Sequence, residues 1–181
     1  MTHTAAPLSA RPVSVDQALA LFDQLDPVSV DFMLGRWRGE GVNTGHPMDG
    51  LLEHYGWHGK HFHSADQVDP LVFNEQRRMP PRVLFPGLKL NDKLIRSKAM
   101  PSVFRLLSPL LESNQCAARL RRTEYRGKIT ATMIYDHLPI NDVCARIDDN
   151  TVLGVMDQKG VEQPFIFILH REVPASSLGT G

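Results

Sequence analysis

The stretch KITATMIYDHLPINDVCARIDDNTVLGVMDQKG, residues 128–160, decides the fold. Ile129, Thr130, Thr132, Ile134 and Tyr135 are β-branched or aromatic and predict a strand over Lys128 to His137. Pro139 and Asn141 bracket a turn, and Val143 to Ile147 is a second strand. Asp148-Asp149-Asn150 is a hairpin loop, because short polar side chains that bond their own backbone favour turns. Thr151 to Met156 then pairs back, and Gln158-Lys159-Gly160 turns once more. Short strands joined by tight turns make an antiparallel meander.

Working outward, Phe165 to Arg171 adds a strand on one side and Cys116 to Arg126, ending at Gly127, adds one on the other. Trp37, Gly39 and Gly41 mark an earlier strand, broken by Gly45-His46-Pro47. Met48 to Tyr55 reads as a helical turn or a loop, Trp57 to Ser64 as a strand and Val68 to Phe73 as another. About seven to nine strands result, enough to close a barrel and remove its edges. Between 74 and 101, Pro80-Pro81 and Pro86-Gly87 mark turns. A helix interrupted at Pro109 is expected over Val103 to Leu111.

At the N-terminal end, Ser14 and Gln17 form a capping box before Val15, Ala18, Leu19 and Phe22 at helical spacing. Asp26-Pro27 is expected to start a second short helical turn carrying Val30, Met33 and Leu34. The fold class is therefore mainly β: an antiparallel barrel with one or two N-terminal helices. Residues 1–13 read as a disordered arm, 14–34 as the helices, 35–100 and 101–173 as two parts of one barrel, and 174–181 as a flexible tail.

The chain has 181 residues, 42% of them hydrophobic and 22% charged, with 20 basic and 20 acidic residues. Such a chain buries a core of ordinary size. Zero net charge gives no global attraction to nucleic acid or to an anionic membrane. The densest basic patch, Arg119, Arg121 and Arg122, reads as a solvated strand face. No apolar run reaches the length needed to span a bilayer, and no signal-peptide pattern opens the chain, so a cytoplasmic location is expected. Cys116 and Cys144 lie in strand-like segments and read as packed thiols. Walker, GxGxxG and GxSxG motifs are absent.

Two clusters carry chemistry. His54, His58, His61 and His63 fall within ten residues, with His46 just before. His61 and His63 share a strand face, and His58 points the other way. A metal would need a third ligand, for which His137 and Asp136 are candidates; the alternative is a set of surface histidines, and no metal ligand is assigned. The second cluster is Tyr135, Asp136 and Asp142 around the Pro139 turn. Two carboxylates that approach one another push their pKa values apart, which makes an acid and a base at neutral pH. Lys60 in the same cavity would hold one of them ionised. The competing reading is that both carboxylates cap turn amides.

Gly35-Arg36-Trp37-Arg38-Gly39 resembles the signature of the GXWXG family. Trp57-His58-Gly59-Lys60-His61-Phe62 resembles that family's W-x-G-K-x-F segment, followed in place by Asp69-Pro70-Leu71. Met133 to Asp142 and Leu153 to Asp157 resemble its C-terminal companion domain of unknown function. The resemblance spans about Asp31 to Arg171, and Val143-Cys144 departs from it where an aromatic is expected. Gly39-Glu40-Gly41 is also similar to the first strand of lipocalin-like and nitrobindin-like barrels, and this likeness implies that the antiparallel barrel is lipocalin-like. The resemblance implies Lys60, Asp136 and Asp142 as family-type polar positions and implies no settled activity.

The expected function is binding of a small, largely apolar molecule inside the barrel, with isomerase or hydratase-type acid/base chemistry carried by Asp136, Asp142, Lys60 and Tyr135. Trp37, Trp57, Phe62, Met133 and His137 would contact the ligand. A non-catalytic binder of an apolar metabolite and a haem- or metal-binding barrel are the alternatives. No cofactor is identified. Nucleic acid and membrane are not expected partners, and a homodimer is left open.

Overall fold

The computed structural model describes residues 12–73, 77–78 and 115–172. Ser14 caps α1 (Val15–Gln24): its hydroxyl accepts from the Gln17 amide, and the Gln17 side chain accepts from the Ser14 amide. Two orphan amides of the first turn are thereby satisfied. The next segment departs from expectation. Asp26–Pro27 is a two-residue strand, β1, and the second helix, α2 (Val30–Met33), begins only after Ser29, which caps Phe32. Proline lacks an N–H and so tolerates the margin of a sheet as well as a helix start.

The rest follows the predicted strands closely. The order is β2 (Gly35–Gly41), α3 (Leu51–His54), β3 (Trp57–Phe62), β4 (Val68–Phe73), β5 (Arg77–Arg78), β6 (Ala118–Tyr125), β7 (Lys128–Tyr135), β8 (Ile140–Asp148), β9 (Thr151–Gln158) and β10 (Phe165–Arg171). Every pairing is antiparallel. Hydrogen bonding runs β8-β7-β6-β4-β3-β2-β10-β9, and β9 returns to β8, so eight strands close a barrel. β5 pairs with β4, and β1 takes over the edge of β8 at Ala145 and Arg146, beyond Val143 where the β7–β8 pairing stops.

Strand alternation sorts the side chains. Trp57, Phe62, Leu120, Met133, Tyr135, Ile140, Cys144, Met156, Phe165, Phe167 and Leu169 belong to the interior core. Val143, Ala145, Leu153, Val155, Ile166 and Ile168 point outward and are covered by Ala18, Phe22 and Leu25 at and after α1. One apolar helix face therefore seals one apolar wall of the barrel. Arg119, Arg121 and Arg122 are exposed, as read from the sequence. Cys116 and Cys144 are free thiols. Val13, assigned to the arm, donates its amide to Asn43 O at 3.0 Å. Residues 1–11 of the expected arm, the turns at Pro80 and Pro86, the expected 103–111 helix and the 174–181 tail lie outside the described residues. No helix among the described residues is long and apolar enough to cross a membrane.

Candidate functional site

Gly59 shapes the strand that carries the site. It sits at an irregularity in the β3–β4 ladder with φ of +154°, and a Cβ there would fall 1.9 Å from the Trp37 carbonyl oxygen. Only glycine fits so close an approach. Around this bulge Trp57, Lys60 and Phe62 are all buried while His58 and His61 are less so. A lysine among apolar neighbours costs several kcal/mol unless its charge is met.

It is met. Lys60 Nζ lies 2.7 Å from Asp142 Oδ2 and 3.1 Å from the Pro70 carbonyl. The two side chains are only 4% and 2% exposed. The ammonium also stands 5.1 Å from the Phe167 ring centre, 5.7 Å from Trp57 and 5.8 Å from Tyr135. Three aromatic faces thus surround the cation. Asp142 reaches it because β8 pairs Asp142 with Met133 of β7, and Tyr135 follows two positions on along the same inner face.

Burial pushes the Asp142 carboxyl above its ordinary range, while the Lys60 ammonium and the Tyr135 hydroxyl pull it back down. Burial, reinforced by the Asp142 charge, holds the Tyr135 phenol well above its ordinary value, so it stays protonated. Burial likewise pushes the Cys144 thiol up to about 12, which keeps it a neutral packing group. Among the described residues, Asp142 Oδ1, an acceptor beside the Tyr135 hydroxyl, and Trp57 Nε1, a donor, lack a hydrogen bond of ordinary geometry.

The structure therefore joins Lys60, Asp142 and Tyr135, with Trp57, Phe62 and Met133 in the same interior core. It does not bring in Asp136 or His137, which are exposed. Asp136 faces Arg119 at 3.8 Å instead. The cause is strand parity: with Tyr135 turned inward, its neighbour Asp136 turns out. The paired-carboxylate arrangement is thus corrected to one carboxylate, one ammonium and one phenol. Trp37 is fully buried, and its indole N–H donates to the Met33 carbonyl at 2.8 Å with Arg171 4.2 Å above the ring. That geometry makes Trp37 a packed member of the wall with its polar atom satisfied.

The histidines divide. His58 Nε2 pairs with Glu172 at 2.6 Å, and His63 Nε2 lies 2.7 Å from Asp69 Oδ2. His61 and His63 do share a face, their ring centres 3.7 Å apart. Their carboxylate neighbour is Asp69, opposite His61 on β4, and neither Asp136 nor His137 takes that place. Asp69 is absent from the sequence candidates because its approach depends on cross-strand register, which spacing along one strand does not reveal. Alternation on β4, set against β3, is the signal that finds it. Phe167 is the other addition, carried to Lys60 by the pairing of β10 with β2.

Comparison with known proteins agrees with this architecture. A crystal structure of a protein from Thermomonospora curvata is 33% identical, covers 90% of each chain and superposes with a TM-score of 0.64. No curated protein matches the sequence. Residues 116–171 match the domain of unknown function DUF4334, which contains Asp142 and Tyr135, and residues 20–77 match the GXWXG protein family, which contains Lys60. The chain therefore belongs to the GXWXG family, with the companion domain of unknown function completing its barrel.

Proposed function

We propose that the barrel interior takes a small, largely apolar molecule with one carbonyl or hydroxyl group and shifts a proton on it by acid/base chemistry. One observation carries this reading: a buried Lys60–Asp142 pair next to an unmet acceptor, Asp142 Oδ1, and an unmet donor, Trp57 Nε1. A buried polar atom without a partner costs about 1–3 kcal/mol, and a ligand's polar end would remove that cost. The apolar body of the ligand would rest among Phe62, Met133 and Phe167.

In this reading Asp142 Oδ1 is the base. Lys60 holds the carboxylate ionised, while burial raises it toward the pH at which a general base works. The protonated Tyr135 hydroxyl is the hydrogen-bond donor to a ligand oxygen on which negative charge develops. A proton taken from one carbon and returned to another is an isomerisation, and it needs no redox partner.

The test separates this from a purely structural ion pair. Asp142→Asn alone leaves the Lys60 ammonium buried without its counter-charge, and a loss of about 3–5 kcal/mol is expected. The double variant Lys60→Met/Asp142→Leu replaces both charges by apolar groups and should return close to wild-type stability in urea unfolding. Organic extracts of the two purified proteins, compared by mass spectrometry, then decide. A small molecule held by wild type and missing from the stable double variant supports the reading. Identical extracts from two equally folded proteins refute it.

A further inference from the structure

His61, His63 and Asp69 stand on the face of β3 and β4 opposite to Lys60. We propose that these three side chains form a binding site for a divalent transition-metal ion, zinc by preference, outside the barrel and independent of its interior. One ligand atom from each lies within 4.8 Å of the others. Tetrahedral zinc with bonds of about 2.0–2.2 Å needs ligand atoms roughly 3.4 Å apart, so rotation of the two imidazoles closes the gap. Backbone register supplies the rest: His61 pairs directly with Asp69, and His63 follows two residues later.

The state of each group suits a ligand. Asp69 is 2% exposed. Its Oδ2 receives His63 at 2.7 Å and Arg78 at 3.0 Å, whereas its Oδ1 has no hydrogen-bond partner among the described residues. A buried carboxylate oxygen left bare is costly, and a metal ion would satisfy it. The His61 and His63 rings lie against one another, centres 3.7 Å apart, and a ring nitrogen of each stands near the same carboxylate. Two histidines and one carboxylate with an open fourth position are the donor set of catalytic zinc and of non-haem iron sites. Access comes from an open pocket of about 580 Å³ lined by His63, Asp66, Gln67, Arg78, Gln115 and Cys116.

Arg78 is the built-in competitor. Its guanidinium occupies Asp69 Oδ2 from the two-residue strand β5, with 41% of the side chain exposed. An exposed arginine leaves its partner at little cost, so it neutralises the carboxylate without blocking a tighter cation.

The experiment titrates the full chain, freed of metal with chelator, with zinc by calorimetry and with cobalt(II) by visible absorption at pH 7.5. One zinc per chain is expected, with tetrahedral cobalt bands. His61→Ala and His63→Ala should each weaken binding by at least about 100-fold. Arg78→Ala should tighten it severalfold. The interior double variant Lys60→Met/Asp142→Leu should bind zinc as wild type does, which keeps this result distinct from that of the interior site. The proposal is overturned by an absence of stoichiometric zinc at millimolar metal. Undiminished binding in the folded His61→Ala and His63→Ala variants overturns it equally, since the metal would then sit elsewhere.

Discussion

Glu172 shows how one residue couples burial to charge at the barrel's end. It follows β10, donates its amide to the Arg36 carbonyl at 2.9 Å, and accepts from Arg36 Nε at 3.1 Å. His58 Nε2 lies 2.6 Å from its other oxygen. Burial alone raises the carboxyl, but the hydrogen bonds and charges of Arg36 and His58 outweigh it, and the net effect is a lowered pKa. A depressed carboxyl stabilises the fold above the unfolded value of about 4.3, and that gain disappears as pH falls through the folded value. Glu172→Gln should therefore lower urea stability at pH 7 by up to about 1 kcal/mol, a modest figure because the partners are partly solvated. The difference should narrow in parallel unfolding at pH 3, as the carboxyl takes up its proton. An equal deficit at both pH values would mean that packing, not charge, is what Glu172 contributes. The same scale explains the site residues that sequence reading misplaced. Tyr135 and Asp136 are adjacent on one strand and cannot both face inward, so their shared assignment conflicted with strand parity from the start. Lys60 with Asp142 was legible because both are charges embedded among apolar neighbours, a pattern that requires a partner. The partnership of Asp69 with His61 was not, because it lives in the register of β3 against β4.

At the level of elements, β2 and β3 are joined by an aromatic ring laid on a bare backbone. A Cβ at Gly39 would lie 2.2–2.7 Å from three atoms of the Trp57 six-membered ring. The last glycine of the Gly35–Gly39 signature thus leaves room for the indole that lines the Lys60 site. Gly39→Ala must push Trp57 aside and should cost about 1–3 kcal/mol, the usual range for overpacking. Tryptophan fluorescence should change with it, since Trp57 moves from its edge-on contact with Phe167. A variant with wild-type stability and spectrum would show that the Trp57 ring does not depend on the bare backbone at Gly39. Elements of this kind were read from sequence with uneven success. β7 to β10 were legible because each turn is written in Asp, Asn, Gly or Pro and each strand in β-branched residues. Asp26-Pro27 was misread because the Asp-Pro pair suits both a helix start and a strand margin, and only tertiary pairing with Ala145 and Arg146 decides between them.

For the molecule as a whole, the ring of strands is not equally strong all round. β8 pairs with β9 at eight registered positions and β6 with β7 at eight, whereas β4 meets β6 at one, Val68 with Ala118. Among the described residues only a few further bonds brace this seam, including Ala117 N to Val68 O at 3.1 Å and Leu120 N to Ala65 O at 2.7 Å. Regions with few ladder bonds open at lower free energy than the rest of a fold. Amide hydrogens at the seam, those of Ala117 and Leu120, should therefore exchange faster than those of Val143 or Val155 in the β8–β9 hairpin. The proposed metal cluster lies on one flank of this seam, since Asp69 follows Val68 and the pocket beside His63 includes Cys116. An ion that binds only the closed barrel adds stability of RT ln(1 + [M]/Kd), about 2.7 kcal/mol at a hundredfold excess over Kd. Saturating zinc should thus slow exchange at Ala117 and Leu120 by up to about 100-fold. It should leave amides that exchange through smaller, local openings of the β8–β9 hairpin unchanged, because the metal stays bound while they open. Slowing spread evenly over all strands would show that the seam opens only by global unfolding, and that the barrel closes as a single cooperative unit.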